Sequence, residues 1–431
     1  MIRKTESLCN ICLAKIPAET FQKGNRVYLK KNCQEHGEMT SLHFWDDPEI
    51  YSFFVKLNVL PTKSAQAILN ITSSCNLTCP VCYAKANEGK SHDLEINEVA
   101  GLQKFRTVFI SGGEPTLRED LPQIIKKITK KKCRVVIFSN GIKLADFSYA
   151  KKLKEAGLGS VILQFDTLDD KINLFMRGEK LLKIKKQAIK NLEKLGIRIT
   201  TSAVLLRGKN FEQLEELLTF LFGNPAIKTI GLNPLKELGR YEKGNFVSSA
   251  EIVSQVNKLL RIEKSDWIAS TRFLVDMDNL VSVIKKRDRV FSRCRLKCLF
   301  FIKGNTCVPL SNIFNLKKIH LKIKKIAQTK SKWRVLWFAL YFLTNEILLN
   351  FFRNKNFKAY VLLFIKNFWK GNNKKIFILN PLKSFSVSVY PTEKNFDFDF
   401  IKGCNFNVYR EEDKTYRPAC LTRITSYLKK R

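Results

Sequence analysis

The stretch AILNITSSCNLTCPVC, Ala67 to Cys82, decides the fold. Ala67–Thr72 is a short apolar run of strand type, bounded by two serines. Cys75, Cys79 and Cys82 follow at once, in the spacing CxxxCxxC. Three thiolates so spaced on a loop can hold three irons of one four-iron cluster, leaving the fourth iron open. A zinc knuckle would want a fourth Cys or His close by, and His92 is ten residues on.

Outward from this loop the chain alternates strand and helix patterns. Strand-like runs lie at Thr107–Ser111, Arg134–Phe138, Ser160–Phe165, Arg198–Val204 and Lys228–Leu232. Helix-like patterns fall near Glu95–Lys104, Glu119–Lys131, Ala145–Ala156, Lys180–Leu195 and Phe211–Phe222. Six strands joined by helical crossovers predict an α/β fold, a parallel partial (β/α)6 barrel over 61–240. Ligand chemistry in such sheets sits at the carboxyl ends of the strands. Gly112-Gly113-Glu114-Pro115 ends the second strand, Ser139-Asn140-Gly141 the third, and Gln164 with Asp166 the fourth. Ser139, Asn140, Gln164 and Asp166 read equally as ligand contacts or as turn and cap residues. Arg177 reads as a bidentate carboxylate partner or as a plain surface arginine.

The cysteine loop together with GGEP resembles the radical S-adenosylmethionine (SAM) enzymes, over at least residues 67–235. The resemblance implies a [4Fe–4S] cluster on Cys75, Cys79 and Cys82, with SAM chelated at the open iron. It implies reductive cleavage of SAM to a 5′-deoxyadenosyl radical, with the electron coming from a ferredoxin or flavodoxin. Gly112 and Gly113 are then expected to let the backbone approach the methionyl group, and Glu114 to hold its ammonium. Pro115, Ser139, Asn140, Gln164, Asp166 and Arg177 are the further cofactor contacts expected.

The remaining cysteines fall into groups. Cys9-x2-Cys12 and Cys33-x2-His36 suggest one tetrahedral metal, zinc or a rubredoxin-like iron. Cys294, Cys298, Cys307, Cys404 and Cys420 suffice for one auxiliary [4Fe–4S] cluster. Cys133 precedes a strand and reads as a small core residue.

The 431 residues are 45% apolar and 27% charged, which excludes a disordered or collagen-like chain. No secretory signal or membrane span is apparent, so a cytoplasmic protein is expected. The net charge of +37 points to an anionic partner: a membrane surface, a charged substrate, or nucleic acid. Residues 313–380 carry 15 Lys and Arg, one acid (Glu346) and 14 aromatics, and read as a helical segment lying on the inner face of a membrane. An ordinary subdomain with a basic face is the alternative, and nucleic acid is less favoured since no RNA-binding motif is present. The expected division is an N-terminal metal-knuckle unit (1–60), the barrel (61–240), an extension with auxiliary cysteines (241–312), the basic aromatic segment (313–380), and a C-terminal α-rich, cysteine-containing region (381–431).

Several stretches together resemble, more narrowly, the archaeal tetraether lipid synthase group, some relatives of which are labelled pterin methyltransferases. These are Cys9–Gly37, Asn76–Ala86, Gly112–Asp120, Leu163–Asp166, Lys185–Asn191, Asn233-Pro234, Gly239-Arg240, Asn395–Cys404 and Pro418–Cys420. Thr167 and Lys143 depart from the group's pattern, as does the cysteine spacing over 294–307. The resemblance implies carbon–carbon bond formation between membrane lipid chains. Methylation of a pterin or other small molecule, RNA modification, and a non-enzymatic iron–sulfur protein are the other readings.

Overall fold

The computed structural model describes residues 3–57, 65–88, 92–99, 101–241, 244, 246–285, 293–303, 306–328, 382–401, 404 and 406–428. Of the basic segment beyond residue 328, only Trp333, Arg334, Trp337, Tyr341 and Lys358 are among the described residues. The expectation of a helical segment there otherwise lies outside them.

The N-terminal unit is a four-stranded antiparallel sheet in sequence order: β1 (Arg3–Leu8), β2 (Lys15–Lys23), β3 (Arg26–Cys33) and β4 (Gly37–Leu42). Helix α1 (Pro48–Lys56) follows, with Asp47 accepting hydrogen bonds from the N–H groups of Glu49 and Ile50.

The six expected strands form consecutive parallel neighbours: β5 (Gln66–Thr72), β6 (Thr107–Gly112), β7 (Arg134–Ser139), β8 (Ser160–Gln164), β9 (Arg198–Leu205) and β10 (Ile227–Pro234). Helices α2 (Leu121–Lys130), α3 (Phe147–Glu155), α4 (Asp170–Arg177), α5 (Leu182–Lys194) and α6 (Leu214–Gly223) connect them. The helix expected over 95–104 is instead two 3-10 turns, Ile96–Glu98 and Leu102–Lys104, separated by Gly101 at φ +70°. Left-handed backbone there ends any continuous helix.

Beyond the barrel come α7 (Ser249–Leu260), α8 (Lys264–Lys285), β11 (Arg295–Lys303), β12 (Thr306–Pro309) and α9 (Leu316–Gln328). The C-terminal region is more strand-like than expected. It supplies β13 (Leu382–Ser388), parallel to β10, and β14 (Phe406–Arg410), parallel to β5, with β15 (Thr415–Pro418) on the outer edge. Its helices are α10 (Phe398–Ile401) and α11 (Ala419–Leu428). Eight parallel strands therefore stand where the sequence indicated six. Serines alternate with Phe385 and Val387 in β13, which weakens the apolar signal of a strand.

Alternation gives the sheet two unlike faces. One face carries Val108, Ile110, Ile137, Leu163, Ile230 and Phe385, all in the main apolar core under the helices. The other lines a lumen. On one wall the rings of Phe109, Phe138 and Phe406 gather, with centroids 5.4 and 6.0 Å from Phe109. The opposite wall is polar: Thr229 and Ser384 hydroxyls are 2.9 Å apart, and Asn233 donates to Ser202 Oγ at 3.0 Å.

The N-terminal sheet is fastened through Asp397, whose carboxylate is fully buried. It pairs with Arg3, accepts from Thr5 Oγ1 at 2.8 Å and from the N–H of Asp399 at 3.0 Å, and lies 3.5 Å from His43 Nε2. His43 Nδ1 lies 3.0 Å from the backbone N of Trp45. Burial alone would raise the Asp397 carboxyl, but His43, Arg3 and Thr5 outweigh it and hold the group below its ordinary range. A lowered carboxyl pKa stabilises the fold above the unfolded value, about 3.9, and that contribution is lost as pH falls through the folded value. Replacing Asp397 with Asn should cost about 1–3 kcal/mol, because Arg3 would lose one of its two carboxylates, keeping Asp399 at 3.0 Å, and the charge-assisted bond from Thr5 would weaken. Chemical denaturation at pH 7 and pH 3 measures it, with the difference between variant and parent shrinking at the lower pH.

Candidate functional site

The cysteine loop begins two residues after β5 and is fixed from several sides. Gly113 N–H donates to Thr72 O and Glu114 N–H to Ser74 O, both at 2.8 Å. A Cβ on Gly112 would lie 2.2 Å from Thr72 O, and one on Gly113 2.1 Å from Ser74 O. These glycines thus allow strand end β6 to close on the backbone leading into the loop. The close approach expected toward a cofactor is made within the protein instead.

Glu114 is buried and strongly engaged. Its Oε1 accepts from Thr116 N, Thr116 Oγ1 and Ser139 Oγ at 3.2, 2.6 and 2.9 Å, and its Oε2 from Asn140 N at 2.7 Å. Burial outweighs these donors and raises its pKa. Glu114 therefore ties the ends of β6 and β7 together, and one Oε2 lone pair remains for anything else. Pro115 opens a buried 3-10 turn after it. Asn140 in turn donates to Asn76 Oδ1 at 2.8 Å, inside the cysteine loop.

Asp166, Gln164 and Arg177 form one buried network. Arg177 binds Asp166 through Nε and Nη2, at 2.8 and 3.0 Å, so the edge expected to meet a cofactor carboxylate is already occupied. Gln164 donates to Asp166 and accepts from Lys185 Nζ at 2.6 Å. Arg177 also hydrogen-bonds Cys79 and helps to lower its thiol pKa, although burial dominates and the net shift is upward. Burial pushes the Lys185 ammonium down to about 7.

Four residues in this frame were not recognised in the sequence as site residues. Asn87 receives the Cys75 N–H at 2.7 Å and donates back to Cys75 O at 2.8 Å. Arg240 N–H donates to Cys82 O at 3.0 Å, and its guanidinium donates to Cys79 O at 3.1 Å and to Ala86 O. Gly239, at φ +88°, leaves no room for a Cβ, which would lie 2.2 Å from Cys82 O. Lys185 sits within the Lys185–Asn191 stretch and is buried at 1% exposure, despite its charge. A polar residue on the core-facing stripe of α5 was the available signal.

Cys75, Cys79 and Cys82 share one apolar pocket with Leu77, Leu181, Ile142 and Ile184. Burial raises the Cys75 thiol to about 11 and raises Cys79 as well, so a cation must offset the cost of their thiolate forms. Among the described residues they are not gathered to the 4.8 Å mutual spacing that a single ion needs. Wider spacing around an apolar pocket fits the corners of a four-iron cluster.

A second donor set does meet that spacing: Cys9, Cys12, Cys33 and His36. Cys12 and Cys33 sulfurs are 3.8 Å apart, and His36 Nδ1 lies 3.7 and 3.5 Å from Cys9 and Cys33. Zinc bonds of about 2.3 Å to sulfur and about 2.0 Å to nitrogen give tetrahedral edges of about 3.8 and 3.6 Å. Against the opposing effect of burial, backbone N–H donors of Ile11 and Cys12 hold the Cys9 thiol down to about 7. This set fits a mononuclear metal.

The five late cysteines divide. Cys298 is in the main core, where Cys294 and Cys307 pack against it, whereas Cys404 and Cys420 belong to a separate apolar cluster with Leu8 and Phe396. Cys133 is buried, its sulfur 3.3 and 3.2 Å from the carbonyls of Leu102 and Phe105, as a core residue.

Comparison with known proteins places these sites. Residues 69–221 match the radical SAM superfamily, and residues 1–44 match the HMPTM N-terminal zinc ribbon domain. The chain thus carries a radical SAM domain, which uses a [4Fe–4S] cluster and SAM. It is 32% identical over 296 residues to 7,8-dihydro-6-hydroxymethylpterin dimethyltransferase of Methanocaldococcus jannaschii, covering 60% of this chain and 58% of that one. It is 31% identical over 206 residues to GTP 3′,8-cyclase of Alkaliphilus oremlandii, covering 44% and 63%. The chain therefore spans less than two thirds of these relatives. Streptococcus suis SuiB bound to S-adenosylmethionine aligns with a TM-score of 0.41 at 21% identity, over 52% of this chain and 51% of that one.

Changing Gly113 to Ala should cost about 1–3 kcal/mol by overpacking and displace the loop. The expected outcome is a lower melting temperature, with iron uptake on anaerobic reconstitution falling well below the parent's while zinc content holds.

Proposed function

We propose that the chain is a radical SAM enzyme acting on a small, polar heteroaromatic molecule of the pterin class. The observation that carries this is the two-walled lumen. Phe109, Phe138 and Phe406 offer faces for a flat ring, while Thr229, Ser384, Asn233 and Ser202 offer hydrogen bonds to its edges. The pterin dimethyltransferase named above is consistent with it.

Cys75, Cys79 and Cys82 would hold the cluster, and the cluster with SAM would supply a 5′-deoxyadenosyl radical that removes hydrogen from carbon. The chain's own part is positioning. Asn87 and Arg240 fix the backbone of the loop, and Asn140 holds the Asn76 side chain within it. Arg177 and Asp166 neutralise each other beside Cys79. The remaining Oε2 lone pair of Glu114 is the acceptor available to the methionyl ammonium, with Ser139 and Asn140 beside it at the end of β7; Gln164 is the further contact at the end of β8. A reductant such as a ferredoxin or flavodoxin is the implied electron source.

With SAM and dithionite under anaerobic conditions, the protein should yield 5′-deoxyadenosine, and the combined Cys75→Ala, Cys79→Ala, Cys82→Ala variant none. Adding 7,8-dihydro-6-hydroxymethylpterin should raise the yield and give a methylated pterin by mass spectrometry. Normal yield in the triple variant would overturn the radical SAM assignment, and an unaltered pterin the substrate class.

A second reading, coupling of membrane lipid chains as in the tetraether synthase group, is favoured by one surface. Helix α9 exposes Lys317, Lys318, Leu321 and Lys324, and Trp333 and Trp337 beyond it are 79% and 73% exposed. Basic residues near an anionic membrane gain about 1 kcal/mol each, and tryptophans sit well at the interface. No helix among the described residues is long and apolar enough to cross a membrane, so contact would be peripheral. On this reading, flotation with anionic vesicles should recover the protein at low salt, and Lys317→Gln, Lys318→Gln, Lys324→Gln together should largely abolish it. Indifference to such vesicles would remove the lipid reading's support.

A further inference from the structure

The polar wall of the lumen contains a charge that the protein leaves uncompensated. β11 runs antiparallel to β13, with Arg295 opposite Ser388 and Lys297 opposite Ser386. Leu296, Cys298 and Phe300 belong to the main core, so Arg295 and Lys297 point to the opposite, lumenal face. The Arg295 guanidinium lies 5.1 Å from the ring of Phe406, on β14 near the other edge of the sheet, and Phe406 is in turn part of the aromatic wall. The lumenal direction of this side chain is therefore set by a contact as well as by alternation.

Lys297 is pinned through its backbone. Its N–H donates to Thr271 Oγ1 at 2.8 Å, and Thr271 Oγ1 donates to Lys297 O at 2.9 Å. The hydroxyls of Ser386 and Ser388 are 3.4 Å apart, across from the two basic residues. Among the described residues neither Arg295 nor Lys297 makes an ion pair with a carboxylate. Two like charges on neighbouring lumenal positions repel each other and lose hydration, a cost that an anion between them would remove. A guanidinium, an ammonium and two hydroxyls on paired positions of β11 and β13 supply the donors that an oxyanion takes, a guanidinium as a fork and an ammonium as a point charge.

We propose that Arg295 and Lys297, with Ser386 and Ser388, form a phosphate-binding subsite in the lumen, taking a phosphoryl group carried by the substrate. This deepens the reading of the lumen as a substrate chamber and rests on it. The site lies near the mouth, since Ser388 ends β13, and it sits between the serines of β13 and Phe406, whose ring the Arg295 guanidinium approaches.

Calorimetric titration of the full chain, anaerobically purified with its metals, with inorganic pyrophosphate is the test. It reads binding and not turnover, so its failure is distinct from failure of radical chemistry. The parent should bind, and Arg295→Gln with Lys297→Gln should weaken binding at least about tenfold. Arg295→Lys with Lys297→Arg, which keeps both charges, should bind more tightly than the double Gln variant, with both variants retaining the parent's iron and zinc. Equal affinity in the parent and the double Gln variant would overturn the proposal, as would no binding by the parent at millimolar pyrophosphate. If the double Gln variant loses its metals, the charge-keeping variant decides: binding supports the subsite and no binding overturns it. Competition by glycerol phosphate or by a phosphorylated hydroxymethylpterin then identifies the source of the phosphate as a lipid head group or a heterocycle.

Discussion

The closure of β6 on the end of β5 is the contact on which the site depends. Two backbone hydrogen bonds, Gly113 to Thr72 and Glu114 to Ser74, bring the GGE turn against the start of the cysteine loop at distances no side chain allows. Everything nearby uses that closeness. Glu114 can reach Ser139 and Asn140 at the end of β7 only because its backbone is held there, and Asn140 then reaches Asn76 in the loop. The thiols are positioned by a chain of short polar contacts spanning three strand ends, with Asn87 and Arg240 closing it from the far side.

Buried charge around the loop is handled in pairs. Asp166 and Arg177 neutralise one another in a place with almost no solvent, and a buried pair is tolerated when further hydrogen bonds complete it. The N–H of Val204 and the amide of Gln164 supply those bonds to Asp166. Residues that look from their strand-end positions like ligands for a small molecule thus serve first to hold each other. Whatever they offer a cofactor is what remains after those internal bonds are made.

Much of this was legible in the chain. All six central strands were readable, because their core-facing residues, such as Val108, Ile110, Ile137, Leu163 and Ile230, are large and apolar and recur at every second position. The N-terminal donors were readable because Cys-x2-Cys and Cys-x2-His are short-range patterns fixed by tight turns. Three things were not. β13 alternates serine with large apolar residues, since its lumenal face is polar, and so carried no continuous apolar signal. Gly112 and Gly113 were legible as permissive residues, but the partner of their close approach depended on tertiary contact. The five late cysteines suggested one set by arithmetic alone, and the fold assigns them to two apolar clusters that sequence spacing could not separate.

Asp397 meets Arg3 across 394 positions of sequence and Thr5 across 392. Contacts so distant along the chain cannot form until all the residues between them have been made. During synthesis the first forty residues emerge with four metal donors but without the carboxylate that will anchor them. The ribbon must therefore close around its own metal, or wait unfolded, while the entire barrel is made behind it. Its docking then follows the synthesis of the barrel, joining Arg3 and Thr5 to the strand-and-helix region around Asp397.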